Sequence, residues 1–125
     1  MVVDTTVFVD LFRKDVKASK FLLNTKESLI LSRVVLMELL RGLKSKREIK
    51  IMAKQLKALG IEVLEINENI SMIAGDLFEK YYHSHGLGIM DALVAASAIV
   101  TKDTLVSHNI KHFTFIKELK LVKPY

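Results

Sequence analysis

Short apolar runs rich in β-branched residues alternate with segments of helical period along the whole chain. That rhythm belongs to a parallel sheet wrapped by crossover helices, because parallel strands must be rejoined by long connections and are covered on both faces. Val2 to Val3 reads as a buried strand that stops at Asp4. Asp10 to Leu23 follows as helix, Ser28 to Leu31 as strand, and Arg33 to Leu43 as helix ending near Gly42. Ser45 to Leu59 is the clearest amphipathic helix, with Ile49, Met52, Ala53, Leu56 and Leu59 on one stripe and Gly60 as its stop. Ile61 to Ile66 is the third strand. Glu68 to His83 is a helix with Ile70, Ile73, Ala74, Leu77, Phe78 and Tyr81 at core spacing, and Gly86 and Gly88 then mark a loop. Met90 to Thr101 is a small-residue helix, Thr104 to Ser107 the fourth strand, Ile110 to Leu119 a helix, and Leu121 to Val122 a short edge strand before Pro124.

The expected fold class is therefore α/β, and the absence of repeats, low-complexity segments or linker composition makes residues 1–125 one domain. With 125 residues, half of them hydrophobic, the chain can bury a real core without disulfide or zinc staples. It has no cysteine, which excludes a thiolate nucleophile, an iron–sulfur cluster and a Cys-type zinc site, and fits a reducing cytoplasm. No membrane span is present: the most apolar stretch, Ala92 to Val100, falls far short of the roughly 18 to 20 residues required. The first charges, Asp4 and Asp10, are acidic where a secretory leader carries Lys or Arg. Nineteen Lys and Arg against 14 Asp and Glu leave a net charge of +5, compatible with a polyanionic partner and equally with an ordinary solvated surface.

Three acids interrupt the most apolar stretches. Asp4 lies in MVVDTTVFVD where the first strand emerges at its carboxyl end, the edge of an open α/β sheet at which ligands bind. It reads equally as a helix N-cap. Glu38 lies in RVVLMELLRG, with Val34 and Val35 one turn before it and Gly42 one turn after, off any polar stripe. A carboxylate in such a place needs a positive partner, either Arg41 or another base, or a metal. Asp91 opens the helix in GLGIMDALVAASAIV, where the helix dipole favours it. Asn109 in TLVSHNIKHF follows the fourth strand and reads also as a cap. In the alternating architecture Asp4, Asp91 and Asn109 reach one sheet edge and Glu38 can reach it too. Carboxylates converging there repel one another unless a divalent cation neutralises them, and hard oxygen ligands suit Mg²⁺ or Mn²⁺.

The run VVDTTVFVDLF resembles the opening of PIN-domain ribonucleases, VVLMELLRGL their second acidic motif, GIMDALVAASAI their third and TLVSHNIKHF their fourth. The four occur in order and span nearly the whole chain. The short form is similar to the toxin component, of the VapC type, of toxin-antitoxin pairs. The resemblance implies a five-stranded parallel sheet in the order 3-2-1-4-5 flanked by helices. It further implies that Asp4 and Asp91 are metal ligands, that Glu38 completes the acidic site, and that Asn109 takes a more variable fourth place, with Thr6 and Ser107 supporting the acids by hydrogen bonds. An amide at position 109 departs from a four-carboxylate site and cannot supply a fourth negative charge. The implied activity is metal-dependent RNA hydrolysis, the implied partners an RNA substrate and a cognate antitoxin, and the implied assembly a homodimer.

Lys46, Lys50, Lys54 and Lys57 form a stripe suited to a phosphate backbone, or simply to solvent. His108 and His112 are spaced as a metal-binding pair with no third ligand beside them, and His83 and His85 flank the glycine loop. Tyr81, Tyr82, Phe113 and Phe115 read mostly as core by their spacing. A receiver domain would need an acceptor Asp after the third strand, which IEVLEINEN lacks, and a haloacid-dehalogenase-like phosphatase would need Asp at position 6, where Thr stands. No GxSxG elbow, P-loop or dinucleotide fingerprint is present. Two alternatives remain at this level: a PIN-like module that binds RNA or protein without cutting, and a metal-free nuclease using histidines and the substrate 2′-hydroxyl.

Overall fold

The computed structural model describes all 125 residues. In chain order the elements are β1 (Val2–Val3), α1 (Thr5–Phe12), α2 (Val16–Asn24), β2 (Ile30–Ser32), α3 (Arg33–Arg41), α4 (Lys46–Ala58), β3 (Glu62–Leu64), α5 (Glu68–His85), α6 (Ile89–Thr101), β4 (Leu105–Val106), α7 (Ile110–Phe113) and β5 (Leu121–Val122). The five strands form one sheet in the order β3-β2-β1-β4-β5, and every neighbouring pair is parallel. This is the order that the resemblance to PIN-domain ribonucleases implies. Val2 pairs with Ile30 on one side and Leu105 on the other, so the first strand of the chain is the centre of the sheet.

Burial explains why these strands need so few residues. Val2, Val3, Leu31, Leu105 and Val106 are almost completely removed from water, with helices covering both faces. On α1 the buried positions are Val7 and Phe8, and on α3 they are Val34, Val35 and Leu39. The helix α6 is buried over most of its circumference through Ala92, Val94, Ala95, Ala96, Ser97 and Ala98, and its small side chains let α5 pack along it. No helix is long and apolar enough to cross a membrane.

Besides shifts of one or two residues at other element ends, four differences from the sequence reading stand out. The helix expected over Asp10 to Leu23 is two helices, and the first starts directly after Asp4. Lys14 takes a left-handed backbone (φ 63°), and Asp15 restarts the helix by accepting the Ala18 N–H at 3.0 Å. The helix expected over Ile110 to Leu119 ends at Phe113, and the chain continues through turns that still bury Ile116. The run His112-Phe113-Thr114-Phe115 is made of weak helix formers, which agrees with the early stop. The helix α5 extends two residues further than expected, to His85, and Gly86 closes it at φ 69°. On α4 only Met52 and Leu56 are buried: Ile49, Ala53 and Ile51 are exposed and Leu59 is half-buried, because this helix touches the body along a narrow edge.

The break between α1 and α2 makes two opposite expectations. Asp15→Ala should cost about 1 kcal/mol of stability by removing the cap. Lys14→Gly should add about 0.5 kcal/mol by relieving the left-handed backbone. Urea unfolding of the two variants beside the wild type measures both signs.

Candidate active site

The carboxyl ends of the parallel strands open into a cleft of about 600 Å³. Asp4 leads out of β1, Asn109 follows β4 by way of Ser107 and His108, Glu38 lies in the second turn of α3 after β2, and Asp91 lies in the first turn of α6. All four line this cleft, together with Thr5, Thr6, Val9, Asp10, Arg13, Arg41, His108 and His112.

None of the four serves as a helix cap through its side chain. Asp4 and Asn109 occupy N-cap positions of α1 and α7 without a capping hydrogen bond, and the N-cap of α6 is Gly88 rather than Asp91. Nor does a Lys or Arg pair with Asp4, Glu38 or Asp91; Arg41 is exposed at the cleft wall and forms no ion pair with Glu38. Each carboxylate has a different kind of partner. Ser107, itself buried, donates its hydroxyl to Asp4 Oδ2 at 2.7 Å and accepts the Asn109 N–H at 3.0 Å. The Thr5 hydroxyl donates to Glu38 Oε2. His112 Nδ1 lies 3.0 Å from Asp91 Oδ2.

Asp4 is only 5% exposed, and burial pushes its carboxyl above the usual carboxylate range. The Ser107 hydroxyl and the Thr5 N–H pull it back in part, while the charge of Asp91 raises it further. Burial also raises Asp91; His112 opposes the shift and the charge of Glu38 adds to it. The acids therefore sense one another across the cleft.

The donor set fits a hard divalent cation in its chemistry: carboxylate oxygens, no thiolate, and mutual repulsion that a cation relieves. No three His, Asp or Glu side chains are grouped closely enough to hold an ion as they stand. Each of the three acids instead has its own hydrogen-bond partner, Ser107 for Asp4, Thr5 for Glu38 and His112 for Asp91.

Of the two supporting positions expected, Ser107 bonds an acid and Thr6 does not, and Thr5 and His112 add contacts that the sequence reading does not name. Thr6 touches no acid; its hydroxyl accepts the His108 N–H at 3.2 Å and so ties α1 to the loop after β4. The threonine that meets an acid is Thr5. The two histidines do not converge. His108 precedes α7, so the one-turn spacing fails, and its Nε2 lies 3.8 Å from Asp10 Oδ2 while His112 turns to Asp91. Asp10 also accepts the Tyr125 hydroxyl at 2.9 Å. No periodicity signals that last contact, which joins residues 115 positions apart.

The family model described as PIN domain matches residues 1–116. Ribonuclease VapC19 of Mycobacterium tuberculosis is 33% identical over 122 residues, covering 94% of this chain and 95% of the relative. Among solved structures, VapBC2 from Rickettsia felis bound to a DNA fragment from their promoter superposes with a TM-score of 0.79 at 26% identity, covering 97% of this chain and 96% of that one. A toxin-antitoxin complex from Klebsiella pneumoniae shares the fold, with a TM-score of 0.79 at 22% identity over 99% of this chain and 97% of that one. The chain belongs to the PIN-domain family.

The raised carboxyl of Asp4 sets the sign of a stability test in EDTA. Its folded-state pKa lies above the unfolded value, so ionisation at neutral pH costs stability, and the cost is relieved as pH falls through the folded pKa. Asp4→Asn should thus melt above the wild type at neutral pH, and the gap should close on acidification. Ser107→Ala should lose about 1 to 3 kcal/mol, because it strips a donor from a buried carboxylate. Thermal melts across pH check both.

Proposed function

We propose that this chain is a ribonuclease that hydrolyses RNA phosphodiester bonds with Mg²⁺ or Mn²⁺, and that it is the toxin of a toxin-antitoxin pair. The observation that carries the reading is the convergence of Asp4, Glu38 and Asp91 on one cleft at the carboxyl edge of the sheet, where none of them is a cap or the partner of a Lys or Arg. Kinship with ribonucleases of the VapC type supports the choice of RNA as substrate.

In this reading Asp4, Glu38 and Asp91 hold the cation, and Asn109 offers a neutral oxygen beside them. Held there, such an ion would supply a nucleophilic water near neutral pH and stabilisation of charge on the phosphate. The protein's part is positional. Ser107 keeps the Asp4 carboxylate aimed into the cleft, Thr5 orients Glu38, and His112 orients Asp91. Arg13 and Arg41 stand at the wall with exposed guanidinium groups that no carboxylate occupies, so they are free to meet substrate phosphates. The exposed Lys46, Lys50, Lys54 and Lys57 of α4 add sequence-independent attraction. The products carry a 5′-phosphate and a 3′-hydroxyl.

The chain acts as a homodimer in the cytoplasm, and a cognate antitoxin silences it by bringing Arg or Lys into the acidic cleft, where a side-chain cation replaces the charge of the metal. Solved neighbours that are complexes of toxin with antitoxin support the antitoxin as partner. Light scattering of the pure chain should give twice the chain mass; a monomer at micromolar concentration would remove the dimer from this account.

Incubation with a mixed RNA pool tests the chemistry. Cleavage is expected with Mg²⁺ or Mn²⁺ and not with EDTA, and Asp4→Asn and Asp91→Asn should each lose activity by on the order of a thousandfold. Mg²⁺ should raise the wild-type melting temperature and leave both variants unmoved, since a ligand stabilises only the state that binds it. EDTA-resistant cleavage that leaves cyclic phosphate would replace this mechanism with a metal-free one.

A further inference from the structure

Beside the acidic cleft lies a second recess of about 400 Å³, and the two share a wall made of Asp91 and His112. Its lining unites the loop that joins α5 to α6 with the segment after β4: His85, Gly86, Leu87 and Gly88 on one side, Lys111 and Phe115 on the other. The sequence reading places His85 beside the glycine loop and Phe115 mostly in the core. Phe115 is instead half-buried and His85, at the end of α5, is exposed.

The His85 and Phe115 rings lie face to face, 4.5 Å between centroids and 13° from parallel. Tyr81 braces both, edge-on to His85 at 5.9 Å and tilted against Phe115 at 5.3 Å, and is itself buried and held by a hydrogen bond to Glu118 at 3.1 Å. Ser84 Oγ sits 2.8 Å from His85 Nδ1 and fixes the tilt of the imidazole. A flat, braced π-surface is thus presented at the rim of a concave site. Lys111 stands in the same recess, exposed and without a carboxylate partner.

We propose that this recess is a nucleotide subsite, in which the base next to the scissile bond stacks with the His85–Phe115 pair and Lys111 meets the adjoining phosphate. The inference rests on the ribonuclease reading of the neighbouring cleft. A strand whose phosphate lies among Asp4, Glu38 and Asp91 passes Asp91 and His112 and puts an adjacent nucleotide into the recess. Single-stranded RNA is recognised in this manner, with unstacked bases on aromatic or imidazole faces and phosphates on basic side chains. An apolar peptide is a poorer occupant, because two histidines, a lysine and an aspartate line the space.

The test uses the intact chain in Ca²⁺ buffer and fluorescence anisotropy with two probes, a labelled oligoadenylate and an abasic ribose-phosphate oligomer of equal length. The wild type should bind oligoadenylate about tenfold more tightly than the abasic oligomer. His85→Ala should erase that preference and His85→Phe should keep it, since phenyl retains the stacking face. Lys111→Gln should weaken both probes alike and reduce the slope of log affinity against log salt by about one. Circular dichroism and melting establish that the variants fold; His85 is exposed, so its replacement leaves the core intact.

If the wild type cleaves RNA while His85→Ala keeps the full preference for bases, the subsite is wrong and the nuclease reading stands. If a preference dependent on His85 appears without any metal-dependent cleavage, the subsite stands and the nuclease reading falls. A wild type that binds neither probe overturns the subsite, as does displacement of an antitoxin peptide, but not of oligoadenylate, by His85→Ala.

Discussion

A carboxylate at the tip of the central strand sets the terms for the rest of this molecule. Asp4 cannot move with its strand, because Val2 and Val3 are held between β2 and β4 and the Asp4 N–H continues the ladder by donating to the Val106 carbonyl at 2.9 Å. It cannot turn outward either without breaking the bond from Ser107, which is itself fully buried. The residue just after β4 thus provides the hydroxyl that makes burial of the charge tolerable, and the same hydroxyl accepts the Asn109 N–H. One side chain links the sheet centre, the acid and the loop that carries the amide.

The features legible in the sequence are those that burial imposes. A parallel sheet needs strands that are apolar on both faces, so Val2-Val3, Leu31, and Leu105-Val106 announce themselves, and an acid next to such a run is conspicuous for the same reason. That is why Asp4, Glu38 and Asp91 stand out before any coordinates. Features that depend on helix phase are harder to read. Whether Thr5 or Thr6 meets Glu38 turns on a start point one residue either way, and the start is set by where β1 ends. The break at Lys14 carries no glycine or proline to mark it. The spacing of His108 and His112 suggests a pair only if the helix begins before His108, and it begins after Asn109.

The stripe on α4 fails for a different reason. Amphipathic period says that one face of a helix seeks cover and is silent on what covers it. Here Met52 and Leu56 meet the body, whereas Ile49 and Ile51 stay 39% and 47% exposed. The exposed outer side of α4 carries Lys46, Lys50, Lys54 and Lys57, whereas four acids, Asp4, Asp10, Glu38 and Asp91, line the cleft.

The partners of these acids bear on how the proposed cation site would be kept ready. Had Arg41 paired with Glu38, the acid would be satisfied and its affinity for an ion spent, because a buried ion pair offers little net charge to a third party. The hydroxyl partners orient Asp4 and Glu38 without bringing a charge to either, and His112 orients Asp91 while opposing the upward shift of its carboxyl. The repulsion this leaves is held down in two ways. Only Asp4 is deeply buried, with Asp91 retaining 32% exposure of its side chain. Asn109, exposed at the rim, adds an oxygen without adding a charge. A carboxylate there would strengthen attraction for a cation and would also raise the cost of the ion-free fold, since every further charge pushes up the pKa of those already present. The amide trades some of the first effect for relief from the second.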